Sequence, residues 1–575
     1  MPLPHTLTSA PIADMDLKLA SGTWPADVRG EMVISAPEPD PRLSYALFGF
    51  GAMIRISLQS GSHGAAPDRF ALRTNVIDSP SKRLFDRDPT AFRAEAFGWN
   101  SPYGAPNAAN TAALPWGDRL FATWDVGRPI EIDPLTLGYL GDVGDRASWG
   151  NPTFPMGDVL PFYFSSAHPV VDPDRDCLWT VKLMPLPDMS MQLHLVRWDG
   201  EGGTMKSWPI ANGVVRGSSH TIAQTRDWLI LADSGNFKTD LGELAGGPRT
   251  ATIDEGAAVY LIRKAHLDAA PPGSPFTPQF ASVAPTTGHF YGVWDDTDGV
   301  RVIFEHMDLM DLGFRLNRSD RDCRGRALRP TYAGLYNMAM APNSISEVTF
   351  DPIAGTSTTT ATFQEDWTFN LQLSAIDWST EGLAAPTYHH VAYQGWHPEA
   401  VSERAMSTYR KLGRTPKKLP KRGGRSRLVT LKRDGLSVHS IFEFPSKGDL
   451  VSSPTFVPRA SGLDSRNSRY AGRDPGGHDG YVVAPVLNDD GFRVELFDAK
   501  SVGKGPVATL VAPRGQCLPV LLHSAWMPSV QAATDHERVA FSQDVQPEAV
   551  DRLQPEMAAT VIDVMTELDD QLAHR

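Results

Sequence analysis

Cysteine is scarce in this chain: Cys177, Cys323 and Cys517 are the only three in 575 residues, and they lie far apart. An odd, scattered set excludes a disulfide framework and a cysteine-built zinc site, and it fits a reducing, cytoplasmic setting. Long apolar runs are missing too. No stretch approaches the roughly 18 uninterrupted apolar residues of a membrane helix, and the first twenty residues lack the basic and apolar regions of a secretory leader. The expectation is a chain neither secreted by that route nor membrane-spanning. Nor is there a surplus of positive charge: 54 Lys/Arg face 67 Asp/Glu, a net charge of −13, so the chain as a whole has no electrostatic reason to bind nucleic acid. P-loop, dinucleotide-binding, Gly-x-Ser-x-Gly and His-Glu-x-x-His strings are absent from any convincing context, which leaves nucleotide-dependent, serine-hydrolase and zincin chemistry unsupported.

Turn formers, in contrast, are plentiful. Gly 49 and Pro 47 make up about a sixth of the chain, against roughly 12% on average. They punctuate short apolar strands from end to end, as in PWGDRLFATWDVGRPIEIDPLTLGYLGD (115–142), CLWTVKL, DWLILAD, RVIFEHM and DGYVVAPVLNDDGFRVELFDAK. Many short strands without intervening helices predict an all-β closed fold, and at this length a propeller is the economical form. No repeat period is visible, so the propeller rests on strand density alone.

Three regions depart from the pattern. Residues 236–290, rich in Gly, Ala, Pro and Thr, read as an insertion. Residues 390–427 read as another, ending in a basic run that carries nine Lys/Arg and no acid from Arg410 to Arg427. Such a run suits a solvated loop before it suits a peripheral contact with an anionic membrane. Beyond residue 530 the chain reads as a partly helical C-terminal extension, where Met557, Val561, Val564, Met565, Leu568 and Leu572 recur at helical spacing, an apolar stripe for the body or for another subunit. Residues 1–20 read as an N-terminal extension and 21–530 as one propeller domain. The oligomeric state stays open.

Four of the sixteen histidines stand at or beside strand-like segments: His168 in FYFSSAHPVVDP, His220 in SSHTIAQTRDWLILAD, His306 in VIFEHMDLMD and His523 in VLLHSAW. They are dozens to hundreds of residues apart, too far for a local metal finger. Only a fold that returns distant segments to one axis could unite them.

In these segments the chain resembles the carotenoid cleavage oxygenase family, as a divergent, bacterial-type member. AHPVVDP is similar to the family's A-H-P-x-x-D-P, SSHTIAQTRDWLILAD to its I-H-D-F-x-x-T stretch, and VLLHSAW to its terminal G-F-H-G-x-W. His306 stands where H-x-x-N-A-x-E would begin, with Asp308 and Asp311 for Asn and Glu. TWPADVRGEMVISAP, LFGFGAMIRISL, PNAANTAAL, SPTFVPR and AKSVGKGPVATLVAP add support, so the likeness runs from about residue 21 to about 530. It implies a seven-bladed propeller with one Fe(2+) per chain on the central axis, held by His168, His220, His306 and His523 beneath a dome of loop and helix insertions. It also implies O2-dependent cleavage of one C=C bond of an apolar conjugated substrate, giving two carbonyl products. Four neutral imidazoles leave the ion at net +2 with two octahedral positions open, as such chemistry needs.

The family's three outer glutamates are where the sequence departs. Position for position they become Asp125 in ATWD, Gln372 in LQLSAID and Ser453 before PTFVP; Glu443 in FEFPSKG is an alternative for the second. Gln372 would accept a hydrogen bond without bringing charge. Stilbene-cleaving relatives tend to carry a lysine before the first acid, whereas this chain has Trp124, which suits a polyene better than a phenolate. Phe162, Phe164 and Trp526 join Trp124 as candidate tunnel walls. Three functions therefore stand: an apocarotenoid or carotenoid dioxygenase, the same chemistry on a stilbene or phenylpropene, and a propeller that binds an apolar ligand without cleaving it.

Overall fold

The computed structural model describes residues 3–574 except 60–68, 93–100, 155–156, 189, 238–254, 376–386, 415, 417–418 and 460–477. Its strands form five four-stranded antiparallel sheets and one ten-stranded sheet. Each four-stranded sheet is a meander of consecutive strands. Two-residue turns such as Gly117-Asp118, between Ala112–Trp116 and Arg119–Thr123, need a positive φ, and Gly117 supplies it at 66°.

The five meanders begin with Ala112–Trp116, Val170–Asp172, Ile222–Gln224, Thr287–Gly292 and Gln372–Ser374. First strands are buried along their length, as in Ile222–Gln224 and Gln372–Ser374, while a last strand such as Thr356–Gln364 is exposed at nearly every residue. That gradient places the first strands at the centre of the ring and the last at its rim. Apolar side chains fill the spaces between neighbouring sheets: Ile230, Val259, Phe290, Val302 and Phe350 between the third and fourth, Ile303, Ile345, Tyr393 and Val429 between the fourth and fifth. Polar seams are closed as well. Lys264, with no exposed surface, donates to Asp172 at 2.9 Å and to Gln224 at 2.9 Å, tying the third sheet to the second.

The ten-stranded sheet joins the two ends of the chain. One half runs through Leu450–Val451, Gly480–Leu487, Arg493–Asp498 and Ala508–Val511; the other runs through Met15–Gly22, Arg69–Val76, Gly51–Gln59, Glu31–Pro37 and Ser524–Met527. The halves meet where Met15–Gly22 pairs with Ala508–Val511. Two sequence expectations are corrected here. The first strand, Met15–Gly22, begins within residues 1–20, so the end of that segment is part of the sheet rather than an extension. Nor is the described part of 236–290 an insertion: Ala257–Arg263 and Gln279–Val283 belong to the third sheet and Thr287–Gly292 opens the fourth, while 238–254 lie outside the described residues. Gly, Ala and Thr there serve closely packed strands, and composition alone cannot tell these from a loop.

Two long connections cover the ring. Residues 307–343 link the second and third strands of the fourth sheet; residues 394–426 link the corresponding strands of the fifth and contain the helix Glu403–Lys411, capped by Ser402. They bind each other, Asn337 Oδ1 accepting from Ser402 N at 2.7 Å and Met338 N donating to Ala400 O at 3.0 Å. Their apolar residues, among them Met307, Met310, Tyr336, Met338 and Trp396, share one cluster with Trp124, Phe162 and Phe164. At the C-terminus the helix Pro555–Ala573 lays Val561, Val564 and Leu568 on Leu84 and Phe85 of the helix Pro80–Arg87, so its apolar stripe docks on the body.

Candidate metal centre

Each first strand begins close to the ring's centre, and histidines cluster at several of these beginnings. His168 precedes Val170–Asp172 by two residues, His220 precedes Ile222–Gln224 by two, His289 is the third residue of Thr287–Gly292, and His523 immediately precedes Ser524–Met527. Backbone bonds fix the first two in register: His168 N donates to His220 O at 3.0 Å, and Ile222 N donates to His168 O at 3.1 Å. The four imidazoles offer ligand nitrogens that all lie within 4.8 Å of one another. Nε2 of His220 and Nε2 of His289 are 3.3 Å apart. A first-row ion with bonds near 2.1 Å spaces adjacent nitrogens about 3 Å apart and opposed ones about 4.2 Å, so these residues fit a metal ion.

Electrostatics favour ligation. His168 and His523 are held well below the usual imidazole range by burial and by their neighbouring histidines, which keeps their rings neutral with lone pairs available. His220 is likewise lowered by burial, which outweighs the opposing pull of Asp125. Asp125 grips His220 Nδ1 at 2.9 and 2.8 Å through its two carboxylate oxygens. That contact fixes the tautomer that carries its proton on Nδ1 and leaves Nε2 for the ion. The shorter Asp in place of Glu therefore still reaches. On its other side the His220 ring is stacked by Phe237, centroids 3.4 Å apart and planes within 8°. Space for Phe237 depends on Gly288, where a Cβ would come within 2.5 Å of the phenyl ring. Asn236, next to Phe237, donates to Met307 O and Met310 O at 2.6 and 2.8 Å, anchoring the covering connection above the histidines.

The structure unites His168, His220 and His523 as expected, but the fourth imidazole is His289 and not His306. His306 ends the second strand of its sheet and spends its Nε2 on Ser346 Oγ at 2.7 Å. The reason is the alternation of strand faces. His289 is directly opposite Glu305, so residue 305 shares the face of His289 and residue 306 points the other way. No local string in the sequence singles out His289, because the choice between it and His306 is made by strand pairing and register.

The outer residues are also redistributed. Gln372 uses its Nε2 on His306 O at 3.1 Å and Ser344 O at 3.0 Å, so it braces backbone beside the cluster. Ser453 bonds to Ser524, the residue after His523. Glu443 is at the rim, paired with Arg425 and Arg427 at 3.0 and 2.6 Å, and has no part in the centre. The acid nearest His289 is instead Glu305, fully buried, with Oε2 at 3.3 Å from Nδ1. Trp124, Phe162, Phe164 and Trp526 are nearly fully buried in the main apolar cluster; Trp526 pairs across to Met32 and packs on Gly30.

Comparison with known proteins agrees with this architecture. The family profile of the retinal pigment epithelial membrane protein (RPE65) matches residues 5–528. An apocarotenoid-15,15'-oxygenase of Synechocystis is 31% identical over 108 residues, 17% of this chain and 19% of that protein. A chloroplastic carotenoid cleavage dioxygenase 7 of rice (Oryza sativa subsp. japonica) is 51% identical over 35 residues, 6% of each. These aligned segments thus span only a small part of the relatives' own lengths. Among solved structures, a Synechocystis apocarotenoid oxygenase variant superposes over 91% of this chain and 98% of its own at TM-score 0.58 and 16% identity. A Pseudomonas brassicacearum lignostilbene dioxygenase covers 92% of this chain and 100% of its own at TM-score 0.57 and 17% identity. A cobalt-substituted form of the Synechocystis enzyme has the same fold at TM-score 0.57. With the profile running through nearly all of the ring and all four clustered histidines, the chain belongs to the RPE65 family, that of the carotenoid cleavage oxygenases.

Proposed function

We propose that the protein is a non-haem iron(II) dioxygenase that cleaves one C=C bond of an apolar conjugated substrate, an apocarotenoid or carotenoid, with O2. The observation that carries this reading is the set of four buried imidazoles, His168, His220, His289 and His523, gathered from four sheets with ligand nitrogens within 4.8 Å. Bound iron would supply dioxygen activation. One molecule of O2 adds across one double bond, and each alkene carbon leaves as a carbonyl.

The protein's own part is to hold and to shield. Asp125 orients His220, Phe237 covers that ring's face, and the apolar cover from 307–343 and 394–426 keeps water from the centre. Trp124, Phe162, Phe164 and Trp526 are assigned to the apolar wall along which the substrate lies. The ten-stranded sheet reads as two blades sharing an edge, which with five meanders makes seven. Trp124 before Asp125 favours a polyene over a phenolate; a stilbene or phenylpropene is the second reading, supported by the likeness to a lignostilbene dioxygenase fold. No helix among the described residues is long and apolar enough to cross a membrane. A cytoplasmic location with peripheral membrane contact through the basic 410–427 segment completes the reading.

The test is aerobic incubation of iron-reconstituted protein with an apocarotenal and, separately, with resveratrol, followed by mass analysis for aldehydes. Apocarotenoid fragments are the expected result. Aldehydes from resveratrol alone would move the substrate to the second reading, and failure to retain near-stoichiometric iron would remove the enzyme reading altogether.

A further inference from the structure

Glu305 is a carboxylate with no exposed surface, deep between the fourth and fifth sheets. A buried charge persists only when donors surround it. Two converge on this one. From its own sheet comes His289, whose Nδ1 is 3.3 Å from Oε2. From the next sheet comes Ser374, at the end of Gln372–Ser374, whose Oγ donates to Oε1. Ser374 Oγ is in turn 2.8 Å from Nε2 of His389, on the adjoining strand Tyr388–Tyr393.

The donors in this chain can be ordered in only one direction. Glu305 can only accept, so Ser374 gives its proton to the carboxylate and accepts one from His389 Nε2–H. His289 then presents Nδ1–H to the other carboxylate oxygen and turns Nε2 toward His220. Neither His289 Nδ1 nor Glu305 Oε2 makes a hydrogen bond among the described residues, and the 3.3 Å contact leaves one buried ring nitrogen and one buried carboxylate oxygen facing each other.

We propose that Ser374 and His389 are positioning residues for the metal centre, acting through Glu305 to set the tautomer and orientation of His289. This rests on the four-histidine cluster being a metal site. The relay explains how His289 can serve although Gln372 carries no charge and turns its amide to backbone. It also crosses from the fourth sheet to the fifth, so the rigidity of the fifth sheet is lent to an imidazole on the fourth.

The experiment is anaerobic titration of the full-length apoprotein with Co(II), competed against a chelator and followed by the visible ligand-field spectrum. Ser374→Ala and His389→Phe are expected to weaken Co(II) binding about 10–100-fold, the usual effect of removing an outer partner of a ligand, and to shift the ligand-field band. Ser374→Thr and His389→Gln, which keep a donor in place, should restore both. Wild-type affinity and spectrum in Ser374→Ala and His389→Phe would overturn the relay, while His289→Ala, expected to lose Co(II), shows whether the centre itself stands. A wild type that takes up no Co(II) would overturn the relay together with the metal reading. Should Ser374→Ala not fold, the His389 pair gives the same test one bond further out.

Discussion

Asp125→Asn is the substitution most closely matched to the geometry of the centre. Both carboxylate oxygens lie within 2.9 Å of His220 Nδ1, so the amide keeps one acceptor nearly in place and loses the charge. In a buried site that charge matters twice: it strengthens the bond to Nδ1–H and it offsets part of the ion's +2. Removing outer partners of metal-bound histidines commonly costs 10–100-fold in affinity, equivalent to about 1.4–2.7 kcal/mol. The imidazole will not swing away, because Phe237 stacks on it and the His168 and His220 backbones are bonded. The expected loss is therefore near the lower end for Asp125→Asn and near the upper end for Asp125→Ala, which removes the acceptor too. Chelator competition with Fe(II) under anaerobic conditions measures it. Affinities of both variants within threefold of wild type would refute the claim that Asp125 holds a ligand.

Gly288→Ala places a methyl against Phe237 and should displace that ring from His220, lowering turnover while leaving most of the metal affinity; unchanged kinetics would contradict the role given to Phe237. Lys264→Met strips one partner from a buried pair and should destabilise the protein by about 3–5 kcal/mol, readable as a large fall in denaturant midpoint. Leu568→Ala should cost about 2–3 kcal/mol if the C-terminal helix docks on Leu84 and Phe85, and much less if it is merely tethered. The apoprotein should also lose stability in mild acid. Burial holds His389 down to about 3 and His194 to about 4, below the value of roughly 6.5 in an unfolded chain. Below about pH 6.5 the unfolded state therefore binds protons that the folded state refuses, and stability falls by up to about 1.4 kcal/mol per pH unit per group. A melting temperature flat between pH 7 and pH 5 would contradict this.

How far the sequence could be read depended on the kind of information each feature carries. His168, His220 and His523 were legible because each lies in a short string that is fixed locally, by the strand start and the turn before it. His289 was not, because its selection over His306 depends on which strand of a pair faces the centre, and one residue of register reverses the answer. Glu305 was hidden for the same reason. Gln372 was expected to accept a hydrogen bond from a ligand, yet its amide donates to the backbone of residues 306 and 344, a choice made by tertiary neighbours. The strands at 257–263 and 279–283 were masked by small residues, whose tolerance of close packing looks like loop composition.

The central claim is that His289, and not His306, completes the four-histidine centre. Metal content of His289→Ala and His306→Ala, purified and reconstituted with Fe(II) side by side, tests it directly. The expected result is loss of iron in His289→Ala with near-stoichiometric iron kept in His306→Ala; the reverse pattern would contradict the account.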